Sequence, residues 1–478
     1  MSFEVVGPFL LFLILFAEGC FLPAFAKAPA SNSNLNSSST SLNDILENPE
    51  SSGWTLGVES SSYVSWMNHP QSDRNPYGIH LKADRIYKFS SFDLGFSAHT
   101  YNSMNQPFLN YSHVDELNFR FKDLVGAETF VFGRYRNSWS TSDEYWRLGM
   151  YQPMFMWNFL KPEDQGLTGL FFKWKLPNVR MDLLLSPFYI PSQGPSYVVR
   201  DGKFESANPW FSSPVNQFLI GNTMFAIRYN VKEPHANDII MNPGIALRFS
   251  SLESSDKTWW NLGGAIKPMN RLELGLTGRG DEEKYEYDVE IHPYVLYHSL
   301  ANAEYGWRLS NSDLLLTTVV EWPNAVSIPS DQSAYQPGRS VMISPIWVYY
   351  LSRPQERKIS VAYIYRDEQE FSHVGDFQLA RSASRGTRYF FKEAVSLSFQ
   401  GRPFSNTPIN LSAQSIYDFA KKGVLILGEI NFAIAKKWSV VMGMETIGVD
   451  DDSISDYQNS FLQYRTNDRI YAGLNYVF

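Results

Sequence analysis

A chain of 478 residues with 15% aromatic side chains, 19% charged ones, a single cysteine and a net charge of −8 excludes several classes at once. An acidic balance without a basic cluster argues against a nucleic-acid binder. Mean hydropathy is −0.27, and past the N-terminus no apolar run approaches the roughly 18 residues of a membrane-crossing helix, so a helical inner-membrane transporter is excluded.

Residues 1–26 read as a secretory signal. Phe9 to Ala17 form its apolar core, and Ala24 and Ala26 supply small residues before a cleavage point at Lys27. The fit is imperfect, since the first eight residues hold Glu4 and no Lys or Arg. Cys20 lies inside this segment, and Ala17-Glu18-Gly19-Cys20 only faintly matches a lipoprotein box because of Glu18. Cleavage after Ala26 leaves no cysteine, hence no disulfide and no thiolate metal site. Residues 27–53 are rich in Ser and Asn, a composition that buries no core and predicts a flexible leader.

From Trp54 to Phe478 the texture is one of short alternating segments separated by Gly, Pro, Asn, Asp and Ser, without an internal repeat. Over 116–122, Leu117, Phe119 and Phe121 oppose Glu116, Asn118, Arg120 and Lys122. Over 170–176, Phe172 and Trp174 oppose Lys173 and Lys175. The same two-faced pattern recurs over 222–231, 271–279 (Leu272, Leu274, Leu276), 285–293, 395–400 and 409–412. At about ten residues per strand plus turns, residues 54–478 accommodate roughly 16 to 20 strands, with 18 as the expected number. Alternation alone leaves open which face meets water, because a soluble sandwich reads the same way. Aromatic residues at the expected strand ends (Tyr63, Trp66, Tyr87, Tyr145, Trp146, Trp259, Trp260, Trp322, Tyr349, Tyr350 and Trp438) suit interfacial girdles.

The final stretch sets Ile470, Ala472, Leu474, Tyr476 and Phe478 on one strand face, against Arg469, Tyr471, Gly473, Asn475 and Val477. It resembles the C-terminal strand signature of Gram-negative outer-membrane β-barrels, which end on Phe with hydrophobic residues alternating back from it. The resemblance implies an all-β fold: a single closed antiparallel transmembrane β-barrel in contact with outer-membrane lipid. It also implies recognition of Leu474, Tyr476 and Phe478 by the barrel-assembly machinery. It specifies no subfamily.

A barrel with apolar faces in lipid turns its polar faces to a lumen. The expected pore lining is basic over 116–248 (Arg120, Lys122, Arg134, Arg136, Arg147, Lys173, Lys175, Arg180, Arg228 and Arg248), followed by an acidic sector at Glu286, Asp288, Glu290, Glu304 and Glu321, with Arg308 among them. Such opposed walls resemble the transverse field of general porins. The proline-broken stretch 186–218 is the longest irregularity, with Asp201-Gly202 as a tight hairpin turn. If it folds inward, Arg200, Asp201, Lys203 and Glu205 become constriction residues.

Enzyme chemistry finds no support. The eight histidines show no metal-ligand spacing, and there is no Gly-x-Ser-x-Gly elbow or phosphate-binding glycine loop. No cofactor or metal is expected. The expected function is a passive outer-membrane channel for hydrophilic, anionic solutes, with homo-oligomers open as a further possibility. The alternatives are an exopolysaccharide-export barrel of the alginate type working with periplasmic partners, or a plugged structural or adhesive surface barrel.

Overall fold

The computed structural model describes residues 53–64, 74–124, 126–220, 222–252, 257–281, 283–352, 357–368, 372–375, 388–404, 407–450 and 459–478. The expected signal and nearly all of the leader, as well as Trp66, lie outside the described residues.

Alternating side chains give a strand one apolar and one polar edge-on face, and 18 such strands form one sheet. They are β1 (Gly53–Tyr63), β2 (Tyr77–Lys88), β3 (Asp93–Ser103), β4 (Tyr111–Leu124), β5 (Ala127–Tyr135) and β6 (Leu167–Lys175). Then come β7 (Val179–Ser186), β8 (Gly244–Ser251), β9 (Thr258–Pro268), β10 (Tyr297–Arg308), β11 (Ser312–Pro323) and β12 (Ser340–Ser352). The last are β13 (Arg357–Glu368), β14 (Glu393–Gly401), β15 (Ile409–Asp418), β16 (Gly423–Ala435), β17 (Trp438–Val449) and β18 (Arg469–Val477).

Each strand pairs antiparallel with its neighbours in this order, and β18 returns to β1 from Thr55↔Val477 to Tyr63↔Arg469. The Phe478 amide donates to the Trp54 carbonyl at 3.0 Å, sealing the seam. Closure leaves no edge, which a sheet in hydrocarbon requires because every unpaired backbone group there costs several kcal/mol. This is the closed antiparallel barrel that the alternation and the terminal strand predict.

The outward set is apolar and uncovered. Leu56 and Val58 register against Tyr476 and Leu474 on one side and Leu81 and Ile79 on the other. Val58 and Leu397 are each 56% exposed and Leu474 42%. An apolar belt running around a closed sheet is a lipid contact, not a packing defect. Phe172 and Trp174 share this outer face, while Lys173 and Lys175 take the inner one beside buried Phe171. Of the expected girdle aromatics, Tyr87, Trp322, Tyr349 and Trp438 are exposed, whereas Tyr63, Tyr145 and Trp146 are buried.

Connections at one end are short, as at 89–92, 176–178, 309–311 and 436–437, and most at the other end are long. The long connections build a second sheet of six strands: Gln217–Ile220, Thr223–Val231, Glu286–Tyr294, Glu273–Asp281, Ser333–Gln336 and Ser372–Val374. Thr223–Val231 and Glu286–Tyr294 run parallel in it. This corrects part of the expected barrel wall. Segments 222–231, 271–279 and 285–293 alternate like wall strands but belong to this loop layer. Leu276 is buried there with Ile227, Tyr229, Val289 and Ile291. A one-sided soluble sheet and a barrel wall produce the same period of two, so periodicity could not separate them.

Candidate pore constriction

The connection between β5 and β6, residues 136–166, folds into the barrel. A buried loop must satisfy its own backbone and bring its own apolar side chains, and this one does both. Trp139, Trp146, Met150 and Tyr151 are each 1% exposed and join one core with inward wall residues such as Ala246, Leu300, Met342 and Ile346. At its centre lies a short helix, Thr141–Tyr145. Asp143, within that helix, accepts the Met150 and Tyr151 amides on its carboxylate, each at 2.9 Å, closing the turn.

The loop tours the inner wall. Thr141 donates its amide to Glu304 on β10 at 2.6 Å, and the Ser142 and Thr317 hydroxyls meet at 2.8 Å on β11. The Trp146 indole donates to the Ser344 hydroxyl on β12 at 2.8 Å. The Tyr145 and Ser396 hydroxyls meet on β14 at 3.1 Å. Asn158 then donates to Glu445 on β17 at 2.7 Å, and the Lys161 amine to Glu429 on β16, also at 2.7 Å. Such a path narrows the cross-section from within. Water still reaches it, since 41% of the Lys161 side chain and 34% of that of Glu429 are accessible.

Electrostatics of the loop follow from this enclosure. Burial pushes the Asp143 carboxyl up to about 6, partly opposed by the two amides it accepts. Burial also pushes the Glu144 carboxyl well up. Burial is the largest influence on the Lys161 amine and lowers it, but Glu429, Tyr471 and Glu445 together outweigh it and hold the amine above its ordinary value.

Three further loops add to the plug of side chains. Glu321 on β11, fully buried, takes the Arg388 guanidinium, the Tyr389 hydroxyl at 2.5 Å and the His298 ring. Trp210 lies 5.9 Å from Tyr464, and Asn467 donates to the Pro209 carbonyl at 2.7 Å.

Below the loop, towards the short-turn end, the inner faces of β4, β6 and β7 carry Arg120, Lys122, Lys173, Lys175 and Arg180. The register sets Lys122 and Lys173 on either side of Thr129, and Lys175 against Arg180. The Tyr135 ring holds two of them, with Arg120 at 5.0 Å and Lys173 at 4.7 Å from its centroid. Among the described residues, no carboxylate oxygen comes within 4.0 Å of any of these five cations. The neighbouring Asp182 is taken by the Arg248 guanidinium, which also reaches the Ser138 carbonyl and so ties β7, β8 and the start of the loop together.

The remaining expected lining residues sit elsewhere. Arg134 falls on the outward face, in register with Leu117 and Thr168, with its Nε on the Gly166 carbonyl at 3.1 Å. The fully buried Val131 and the partly buried Tyr135, the latter packed on Phe171, occupy the inner face of β5 instead. Arg136 opens the loop, its amide on Glu116 at 2.8 Å, and Arg147 lies within it at φ +50°. Arg228, Glu286, Asp288 and Glu290 belong to the loop-layer sheet, where Arg228 meets Glu286 at 3.2 Å and Asp288 at 4.0 Å, and Glu290 meets Lys232 at 3.0 Å. They line no barrel strand. Arg200, Asp201, Lys203 and Glu205 form the expected tight hairpin, with Asp201 and Gly202 at φ +51° and +75°. That hairpin packs on Thr223–Val231, the Tyr229 amide donating to the Gly202 carbonyl at 2.8 Å, so these four residues sit in the loop layer, and of 186–218 it is Trp210 that joins the core inside the barrel. Leu474, Tyr476 and Phe478 lie on the outer face of β18, Phe478 57% exposed.

Two features escaped the sequence. The inserted loop had a signal: Trp139, Tyr145, Trp146, Met150, Tyr151, Met154, Phe155, Met156, Trp157 and Phe159 crowd one connection, far more than a solvated loop needs. His99 and His113, fourteen positions apart, become register partners on β3 and β4; only strand pairing brings them together.

No protein-family model and no curated protein matches the chain. Among solved structures it is similar to OccD3 of Pseudomonas aeruginosa, with 9% identity, TM-score 0.42, and 90% of this chain and 91% of that one covered. It is also similar to OccAB4 of Acinetobacter baumannii, with 8% identity, TM-score 0.43 and coverage of 90% and 100%. A loop-deleted OmpT, an outer membrane protein of Vibrio cholerae, gives 9% identity, TM-score 0.36 and coverage of 89% and 98%. The closure, the lipid-facing belt and the inserted loop together make the chain an 18-stranded β-barrel of the outer-membrane type.

Proposed function

We propose that the barrel is a passive channel for small hydrophilic anions, which the inserted loop admits along the basic wall. The carrying observation is the group Arg120, Lys122, Lys173, Lys175 and Arg180, five inward cations that have no carboxylate within 4.0 Å among the described residues. Unpaired charge on a lumen wall raises the local concentration of counter-ions and lowers the barrier for their passage. A wall charge serving only to hold strands together would be paired, as Arg248 is with Asp182. Solutes carrying carboxylates or phosphates fit this wall, and the barrel needs no catalytic chemistry to pass them.

The deep packing of 136–166 supports a second reading, a barrel plugged for a structural role. Planar-bilayer recording decides between them. The channel reading expects discrete conductance steps and a reversal potential showing anion preference in a salt gradient. It further expects K122E/K175E to move that preference toward cations. A silent bilayer, or a reversal potential unmoved by the double variant, would overturn it.

A further inference from the structure

The long-loop half of the lumen holds a cluster that plays no part in the proposed conduction. His99 on β3 and His113 on β4 face inward side by side, their ring centroids 5.7 Å apart. The inserted loop delivers Glu163 to the same place, on the two-residue strand Glu163–Asp164 that pairs with Met154–Phe155. One ligand atom from each of His99, His113 and Glu163 lies within 4.8 Å of the others. Phe155, stacked on the His113 ring at 3.9 Å, presses that hairpin against the wall.

We propose that His99, His113 and Glu163 form a site for a borderline divalent cation of the zinc class, which clasps the inserted loop to the barrel wall. Two imidazoles and a carboxylate are the donors such ions select, commonly with a fourth position left to water. Tetrahedral ligands about 2.1 Å from one ion lie ~3.4 Å apart, so atoms that stand as far as 4.8 Å from one another must close by more than about an ångström. Glu163 is free to make that move, its side chain being 46% accessible. His113 is not: its side chain is 1% exposed, and its Nδ1 is buried without a hydrogen-bond partner. A polar nitrogen so placed is costly unless something binds there.

Charge and outer contacts fit as well. Asp115 sits 2.7 Å from His113 Nε2, which also faces Glu163 at 3.9 Å, and accepts the Ser97 hydroxyl at 3.3 Å; an ion taken at the free Nδ1 leaves Asp115 on the far side of the ring. A carboxylate behind a ligating histidine orients the ring and strengthens its donation. Glu163 and Asp115 together bring two negative charges, matching a divalent ion in a site where bare charge would be expensive. The Tyr111 hydroxyl, 3.2 Å from His99 Nε2, fixes the second ring.

The experiment is calorimetric titration of the purified full-length barrel in detergent with zinc chloride, with magnesium chloride as the hard-cation control. One equivalent of zinc should bind and magnesium should not compete. H99A and E163Q should each weaken binding by at least about tenfold, and D115N by about 10–100-fold as outer carboxylates typically do. H235A, at an exposed loop position, should leave it unchanged. Because calorimetry reads binding whether or not the barrel conducts, the result stands apart from the channel reading. Should H99A fail to fold, judged by unheated gel mobility, the accessible Glu163 still decides through E163Q. Zinc binding that appears only at millimolar concentration, or that E163Q leaves intact, overturns the proposal.

Discussion

Replacing Trp146 by Ala tests whether the loop is docked as strongly as its packing implies. The indole is 1% exposed, lies 5.4 Å from the Tyr145 ring and 5.5 Å from that of Phe391, and donates to Ser344. Truncating a buried tryptophan costs about 3–5 kcal/mol. Ser344 adds little to that cost, because its hydroxyl also donates to the Tyr363 carbonyl at 2.7 Å and stays satisfied. The loss falls on loop docking, since the hydrogen bonds closing the wall do not involve residue 146. The undocked population should therefore rise by roughly two to three and a half orders of magnitude, at 1.4 kcal/mol per factor of ten. Trypsin reads this directly at the Arg147–Leu148 bond, whereas Lys161 is followed by Pro162 and resists cleavage. W146A should be cut at Arg147 far faster than the parent protein while keeping its unheated gel mobility, and its bilayer currents should be larger or noisier. If Arg147 remains equally protected and currents are unchanged, the indole does not hold the loop and the docking account fails.

Further outcomes follow from the same geometry. Asp143, raised by burial to about 6 from an unfolded value of about 3.9, binds its proton more tightly when docked. Its contribution favours docking below about pH 4 and is lost as pH rises to 6, so cleavage at Arg147, normalised at each pH to trypsin's rate on an unstructured peptide, should be slower at pH 5 than at 7.5, by about 1 kcal/mol of protection. Glu144 titrates in the same direction, and faster cleavage at pH 5 would contradict both assignments. R248A strands the Asp182 carboxylate, 3% exposed, without its partner. The cost should be about 3–5 kcal/mol, seen as a lower temperature of conversion to the unfolded gel band, and R248A/D182N should recover part of it. Phe478→Ala should leave that temperature nearly unchanged, because the ring is 57% exposed and touches only its own outer face. It should instead lower the amount of barrel assembled in cells, if the terminal strand is read by the assembly machinery.

The wall was legible because its information is local. A period of two in 116–122, 170–176 and 395–400 places Leu117, Phe172 and Leu397 outward without any tertiary knowledge. The strand total was legible for the same reason, although several predicted wall strands are loop-layer strands and weaker segments make up the number. Thr223–Val231 and Glu286–Tyr294 show where period fails: a sheet buried on one face alternates identically, and only pairing reveals that they run parallel outside the barrel. The hairpin residues 200–205 were singled out because prolines in 186–218 mark irregular backbone and carry no information on which part is buried. Burial was written in 136–166 as a crowd of Trp, Tyr, Met and Phe, whose partners such as Ser344 and Ser396 lie some two hundred residues away. The His99, His113 and Glu163 cluster was beyond reach, since it needs a strand register and a folded loop at once.

The account turns on which face of the wall meets lipid, and adjacent positions on β6 test that most directly. In a Cys20→Ser background, Trp174→Cys and Lys175→Cys place single thiols on opposite faces of one strand. In lipid vesicles the thiol at 175 should react with a membrane-impermeant maleimide while the thiol at 174 resists it, and a fluorophore attached at 174 before reconstitution should be quenched by brominated lipid. The reverse pattern, or equal water reactivity at both, would mean that the apolar face does not lie in the membrane and that the basic wall lines no lumen.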